Sequence, residues 1–321
     1  MSLHSSHQHY LSLLVAIAVA FISVPCSADI LINGYSHKTN DRFTNDSSFI
    51  LNGFDLSGVG RTEAGRWATA ISPNVVISAY HYRPSGDVLF YSGNDATATP
   101  VTRTITSGQR ISGTDLYLGL LGENLPTSIT HYSVASTPLS GTPSTWAQTF
   151  FNDAGIYQDA TAYSFGVSPF DVNSDPTRSV ANDQAVGRNQ VTAYGENVSF
   201  NSTDNDSLLF RQDSPGDPGF IDHEAKLRSG DSGAPTFIDA GGNELLLLGT
   251  NGFLYTDIDG SVYNGINYTG NQETMIRDFV SSNAILISED ASAVPEASSL
   301  LSMAFVLVPI MARRRPRRKR A

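Results

Sequence analysis

The chain has 321 residues, 40% of them hydrophobic and 16% charged, with 31 acidic against 20 basic residues and a single cysteine. That length buries a core in one large domain or two smaller ones, which argues against an intrinsically disordered chain. The acidic balance argues against a nucleic-acid partner, and one cysteine excludes an internal disulfide framework.

Residues 1–28 carry no Asp, Glu, Lys or Arg. An apolar run from Leu11 to Val24 leads into Pro25-Cys26-Ser27-Ala28, with small residues three and one before Asp29. This pattern predicts a secretory signal peptide cleaved after Ala28. His4, His7 and His9 stand where a signal normally has Lys or Arg. The alternatives are an uncleaved membrane anchor and a lipoprotein signal through Cys26, which Pro25 disfavours. Cleavage after Ala28 leaves a mature chain without cysteine.

From Asp29 to about Gly270, short apolar runs alternate with Gly, Pro, Asn, Asp and Ser clusters. Val75–Ile77, Val88–Tyr91, Leu116–Leu121, Thr161–Phe165 and Leu245–Leu248 read as strands, and no fixed-period repeat is visible. The spacing predicts an all-β sandwich or barrel. The polar stretch from Asn201 to Glu224 reads as a long surface loop. Gln272–Ser281 reads as a helix, with Met275, Ile276, Phe279 and Val280 on one face and Asn271 as its cap.

Three segments carry candidate chemistry. Gly230-Asp231-Ser232-Gly233-Ala234-Pro235 offers a serine between glycines, which let the backbone turn so that the amides of Gly230 and Ser232 face one oxygen. Val75-Val76-Ile77-Ser78-Ala79-Tyr80-His81 runs an apolar strand into a histidine, the usual base for a serine near neutral pH. Thr114-Asp115-Leu116-Tyr117-Leu118 opens a strand with an aspartate that can orient an imidazole. Taken singly, each also reads as an ordinary turn, a structural histidine or a strand start.

Together, in the order His, Asp, Ser, these segments resemble the trypsin-like (chymotrypsin-fold) serine peptidases over roughly residues 50–285. Leu246-Leu247-Leu248-Gly249-Thr250 resembles the strand after the family's serine, and the helix near 272–281 its C-terminal helix. The resemblance implies two antiparallel six-stranded β-barrels, about 47–150 and 151–270, with the cleft between them. It implies His81, Asp115 and Ser232 as the triad and the amides of Gly230 and Ser232 as the oxyanion hole. It implies peptide-bond hydrolysis through an acyl-enzyme, with a protein or peptide substrate and no cofactor.

Several positions depart from that pattern. Tyr80 and Tyr82 flank the histidine where a small residue and often a cysteine are usual, so Tyr80 either crowds His81 or repacks. The pocket-floor position six residues before the serine is Lys226, not an acidic residue, so preference for Lys or Arg is not expected. Lys226 either favours an acidic side chain or points away. No basic residue precedes an Ile-Val-Gly-Gly-like start near position 40, so Asp231 is expected to pair with an arginine or to hydrogen-bond locally. Asp257-Ile258-Asp259-Gly260 lacks the spaced ligands of a calcium loop and reads as a surface turn, and no zinc spacing exists, so no metal site is expected.

The C-terminus runs Val294-Pro295-Glu296-Ala297, an uncharged segment Leu300–Ala312 broken by Pro309, and then Arg313 to Arg320 with seven basic residues. This order resembles a PEP-CTERM sorting signal, with Ala297 where the motif has a second proline. The resemblance implies an exosortase-like processing enzyme, membrane contact through the segment 294–321, and an extracellular or outer-surface location in a bacterium. The alternative is a plain membrane anchor. Without the two ends, residues 29–293 hold 30 acidic and 13 basic residues, a net of −17. The sequence therefore points to an exported serine endopeptidase. The alternatives are a catalytically inactive surface or matrix binding protein on the same fold, or an esterase using the same triad.

Overall fold

The computed structural model describes residues 29–143, 151–170, 174–200, 202–257 and 259–284. The signal segment 1–28 and the sorting segment 294–321 lie outside the described residues.

The chain is built of strands, as the spacing of its apolar runs predicts. A short strand β1 (Leu31–Ile32) and a helical turn α1 (His37–Asn40) come first. A six-stranded closed barrel follows: β2 (Val59–Arg61), β3 (Trp67–Ala70), β4 (Val75–Ala79), β5 (Gly86–Phe90), β6 (Val101–Arg110) and β7 (Leu116–Leu121), in the order β2-β3-β4-β7-β6-β5. Every pairing in it is antiparallel. In β6, Val101, Arg103 and Ile105 turn inward while Thr102 and Thr104 face solvent, the alternation of a strand with one wet face. All five residues of β4 are buried, because the barrel lies on one side of it and the rest of the protein on the other.

The second half is larger than the six-stranded barrel expected. It holds β8 (Ser133–Val134), β9 (Thr161–Gly166), β10 (Ala185–Gln190), β11 (Ala193–Phe200), β12 (Thr203–Gln212), β13 (Ala225–Lys226), β14 (Pro235–Gly241), β15 (Glu244–Thr256) and β16 (Val262–Tyr268). Eight of these form one sheet along β10-β9-β14-β15-β16-β12-β11, with β8 added parallel to β15, while β13 pairs with β1. The β14–β15 hairpin turns at Gly242-Asn243, both at positive φ, which is the geometry of a two-residue type I′ connection.

Two expectations are corrected here. Residues 203–212, within the stretch whose polarity predicts a loop, form the long strand β12. Its polar residues mislead because they are buried: Thr203, Asn205 and Ser207 are all nearly inaccessible, and the side chains of Thr203 and Asn205 are hydrogen-bonded. The C-terminal helix α2 (Glu273–Ser282) follows a 3-10 turn, and Asn271 does not cap it. The Asn271 amide instead accepts from the Leu139 amide and donates to the Leu139 carbonyl, tying the helix start to a distant loop. Of the apolar helix face, Ile276 is buried and Phe279 packs against the core, while Met275 is exposed.

The two halves share a core. Val59, Trp67, Ile77, Leu116 and Leu118 of the barrel pack in one cluster with Phe165, Val186, Phe237, Leu245 and Leu247 of the sheet and Ile276 of α2. A polar staple reinforces the junction. The Arg178 guanidinium donates to both oxygens of Asp41 at 2.8 Å, and Ser168 Oγ donates to Asp41 Oδ2 at 2.7 Å. Arg42, fully buried, donates to the carbonyls of Val59 and Tyr91 and to Gln184 Oε1. The Asp41–Arg178 pair has side-chain exposures of 0% and 1%, so removing one member strands the other charge out of water. We expect Arg178→Met to lower the unfolding free energy by roughly 3–5 kcal/mol in denaturant titrations; a loss under about 1 kcal/mol would show that the staple is dispensable.

Candidate active site

His81 and Asp115 come from neighbouring strands of the barrel. His81 lies two residues beyond the end of β4 and Asp115 just before β7, and these strands pair with Ala79 opposite Leu116. That register sets the two side chains side by side. The His81 backbone amide donates to Asp115 Oδ1 at 2.9 Å, and His81 Nδ1 lies 2.6 Å from Oδ2. A carboxylate accepts, so Nδ1 carries the proton and Nε2 is left as the basic nitrogen. Asp115 is inaccessible to solvent, while the His81 side chain keeps 22% of its surface.

The second half completes the carboxylate's surroundings. Asn205 on β12 accepts from the Asp115 amide at 2.6 Å, and Asn267 on β16 donates to Asp115 Oδ2 at 3.4 Å. Tyr80 N donates to the Asp115 carbonyl at 2.6 Å. The Tyr80 ring does not crowd His81; it lies between the guanidinium groups of Arg83 and Arg110, at 4.8 and 4.7 Å. Tyr82 is covered by Arg66.

Ser232 sits on the loop between β13 and β14, half-buried, with Gly233 pressed against the end of β4. A Cβ on Gly233 would fall 2.4 Å from Ser78 Oγ, and its φ is +86°, so the loop approaches the histidine strand this closely only with glycine there. Phe200 bridges the two sides: its ring meets His81 edge-on at 5.3 Å and lines the same pocket as Ser232. Among the described residues, no hydrogen bond joins Ser232 Oγ to His81. Such contacts are often long in unliganded sites and tighten on binding.

The loop's backbone hydrogen bonds are distributed unevenly. The amides of Asp231, Gly233 and Ala234 donate to Arg228, Asn251 and Asp231 carbonyls. Among the described residues, the amides of Gly230 and Ser232 have no partner, although Gly230 is buried. Two unpaired N–H groups two residues apart on a loop are a ready site for an oxygen carrying negative charge.

Asp231 between them is fully buried. Its carboxylate accepts from the Val167 amide at 2.8 Å and the Arg228 amide at 2.7 Å, so local hydrogen bonds hold it. Burial pushes its pKa up to about 8, opposed by those two bonds and by the charge of Arg61.

Lys226, expected at the pocket floor, lies on β13 opposite Leu31 of β1. It is not among the residues lining the pocket beside Ser232. That cavity, about 180 Å³, is walled by Phe200, Leu227, Phe253 and Leu254, with Asn251 and Arg228 as polar members. A wider depression of about 810 Å³ lies between Ser107–Ser112 and α2, away from all the predicted site residues. Sequence reading missed Phe200, Asn205 and Asn267. Phe200 had no motif around it, and the two asparagines look like turn residues until the strands that carry them are placed.

No protein-family profile matches the chain, and no curated protein matches it. Among solved structures, the passenger domain of Plasmid encoded toxin, an autotransporter enterotoxin from enteroaggregative Escherichia coli, is similar over 69% of this chain and 22% of its own length. The identity is 13% and the TM-score 0.40. The chain thus spans under a quarter of that protein.

A second buried carboxyl makes stability depend on pH. Asp183 is pushed up to about 7 from an ordinary value near 3.8, chiefly by burial, with Arg61 and Arg178 opposing. Below about pH 4 it is protonated in the folded and unfolded chain alike. As pH rises towards 7 the unfolded chain loses the proton while the folded chain keeps it, so stability falls across that window and levels off above it. We expect Asp183→Asn to flatten the decline of Tm between pH 4 and 7 and to leave Tm at pH 4 nearly unchanged. An unaltered slope would assign the decline to other groups.

Proposed function

We propose that this chain is a serine hydrolase of the trypsin-like type, acting on peptide bonds as an exported endopeptidase. The observation that carries the reading is the two-oxygen grip of buried Asp115 on His81, together with a serine loop that shares Phe200 with His81 and whose Gly230 and Ser232 amides are unpaired. Ser232 Oγ attacks the scissile carbonyl carbon while His81 Nε2 takes its proton. The C–O bond forms as the carbonyl π electrons move to oxygen, and the amides of Gly230 and Ser232 hold that oxyanion. Collapse of the intermediate breaks the C–N bond, and His81 returns the proton to the leaving amine. Water then attacks the acyl-enzyme with His81 again as base, releasing acid and free serine. Asp115 keeps the imidazole in the tautomer with Nδ1 protonated and stabilises the imidazolium.

The apolar walls around Ser232 favour substrates with an apolar side chain just before the cleaved bond. The paired position of Lys226 on β13 supports the reading in which it points away from the pocket. A non-catalytic binding protein on the same fold is the second reading, favoured by the lack of a Ser232–His81 hydrogen bond.

Labelling of the folded protein by a fluorophosphonate probe separates the two. We expect wild type to label, Ser232→Ala not to label, and both Ser232→Ala and His81→Ala to lose on the order of 10⁶-fold in kcat. No labelling of folded wild type would sink the hydrolase reading. In a peptide-library profile, we expect Leu, Met or Phe before the cut to be preferred over Lys, Arg, Asp or Glu by about tenfold or more; a preference for a charged residue would contradict the pocket assignment.

A further inference from the structure

The serine loop is held from behind by an indole from the other half of the protein. Trp67 on β3 is completely buried, and its Nε1–H donates to the carbonyl of Gly230 at 2.9 Å. That carbonyl belongs to the peptide joining Gly230 to Asp231. The N–H of the same peptide donates to the Arg228 carbonyl at 3.1 Å. Both polar ends of this central peptide are therefore tied, while the amides of the peptides on either side, those of Gly230 and Ser232, are the two without partners.

The tie matters because Gly230 has φ +105° and no side chain to restrict it. A peptide beside glycine rotates at little cost, and rotation of this one swings the amide on each side away from a common point. A buried carbonyl that lost its donor would stay unpaired or turn to find another, so the indole N–H favours one orientation.

Trp67 is itself braced. Arg61 stands directly opposite it on β2, and its guanidinium carbon lies 4.8 Å from the centre of the Trp67 ring. Arg61 is only 1% exposed, and its guanidinium donates to the carbonyls of Val180 and Asp183, each at 2.7 Å. The ring is thus fixed on its face by the stacked cation and at its edge by the Gly230 carbonyl.

We propose that Trp67 is a positioning residue: by holding the Gly230–Asp231 peptide in one orientation it aims the Gly230 and Ser232 amides at a shared oxyanion, with Arg61 as its brace. The assignment rests on the hydrolase reading above. It makes Trp67 a contributor to the chemical step from outside the cleft, where it touches neither substrate nor Ser232 Oγ.

The test compares wild type with Trp67→Phe, which keeps an aromatic ring for Arg61 to stack on and removes the donor together with part of the ring's buried volume. The substrates are p-nitrophenyl acetate and a peptide that wild type cleaves. Losing one fully aimed oxyanion donor costs about 10²–10³-fold in kcat; losing only its alignment is expected to cost about 10–100-fold. KM is expected to change less than about twofold, and the pH profile of kcat to keep its shape. Inhibition by an arylboronic acid, whose serine adduct places an oxygen at the two amides, is expected to weaken by the same factor as kcat. Val88→Ala in the barrel core, a destabilising change away from the loop, is expected to leave kcat intact, which separates positioning from general loss of stability. If Trp67→Phe does not fold, Arg61→Lys carries the same test, with a smaller fall in kcat at constant KM. A Trp67→Phe enzyme with kcat within twofold of wild type, or a Val88→Ala enzyme whose kcat falls as far as that of Trp67→Phe for a similar loss of thermal stability, overturns the assignment while leaving the hydrolase standing. A folded wild type that neither labels with fluorophosphonate nor hydrolyses either substrate overturns both.

Discussion

The buried carboxylate of Asp115 is the point on which the cleft depends. A carboxylate taken out of water is costly unless each lone pair finds a donor. Here His81 supplies two, from its backbone amide and from Nδ1, and Asn267 of the sheet supplies another. Asn205, also of the sheet, fixes the backbone that carries the carboxylate. One group thus sets the tautomer of the imidazole and joins the barrel to the sheet at the place where the serine loop arrives. If the halves shifted, the carboxylate would lose the Asn267 donor and the Asp115 amide its Asn205 acceptor.

The same junction is held elsewhere by means the composition hides. A cysteine-free pair of halves must rely on packing, and the shared cluster around Trp67, Phe165 and Phe237 provides it. Three arginines are also buried there. Arg42 and Arg61 spend their donors mainly on backbone carbonyls, and Arg178 on Asp41. Guanidinium suits this role because its planar fork satisfies several acceptors at once and stays charged through wide changes of environment. Burial lowers the pKa of both Arg42 and Arg61, which marks how little water reaches them.

What the sequence made legible follows from which forces leave a local pattern. Strands such as Val75–Ala79 and Leu116–Leu121 announce themselves because β-branched and leucine runs between turn residues have few other uses. The His81, Asp115 and Ser232 segments stand out for the same reason: each joins a special residue to such a run. Strand β12 leaves no apolar pattern because its inward positions Thr203, Asn205 and Ser207 are polar, and the role of Asn205 comes from Asp115, far along the chain. Asn271 looked like a cap and instead bonds to Leu139, Tyr194 and Asp206, none of which its neighbours in sequence foretell. Spacing from the serine points to Lys226 as the pocket floor, but spacing carries no information on β1, with which the Lys226 backbone pairs. Local pattern names the strands; long-range hydrogen bonds decide which polar residues matter.

The pairing of β1 with β13 has one more consequence. Leu31 and Ile32 lie against Lys226 and Ala225, only six residues upstream of Ser232, and the Ile30 amide donates to Val167, whose own amide donates to Asp231. The foundation under the serine loop is therefore laid by chain almost two hundred positions earlier. For anyone cloning this protein, the choice of first residue and of any tag near Asp29 is a choice about the geometry of the cleft rather than a matter of convenience.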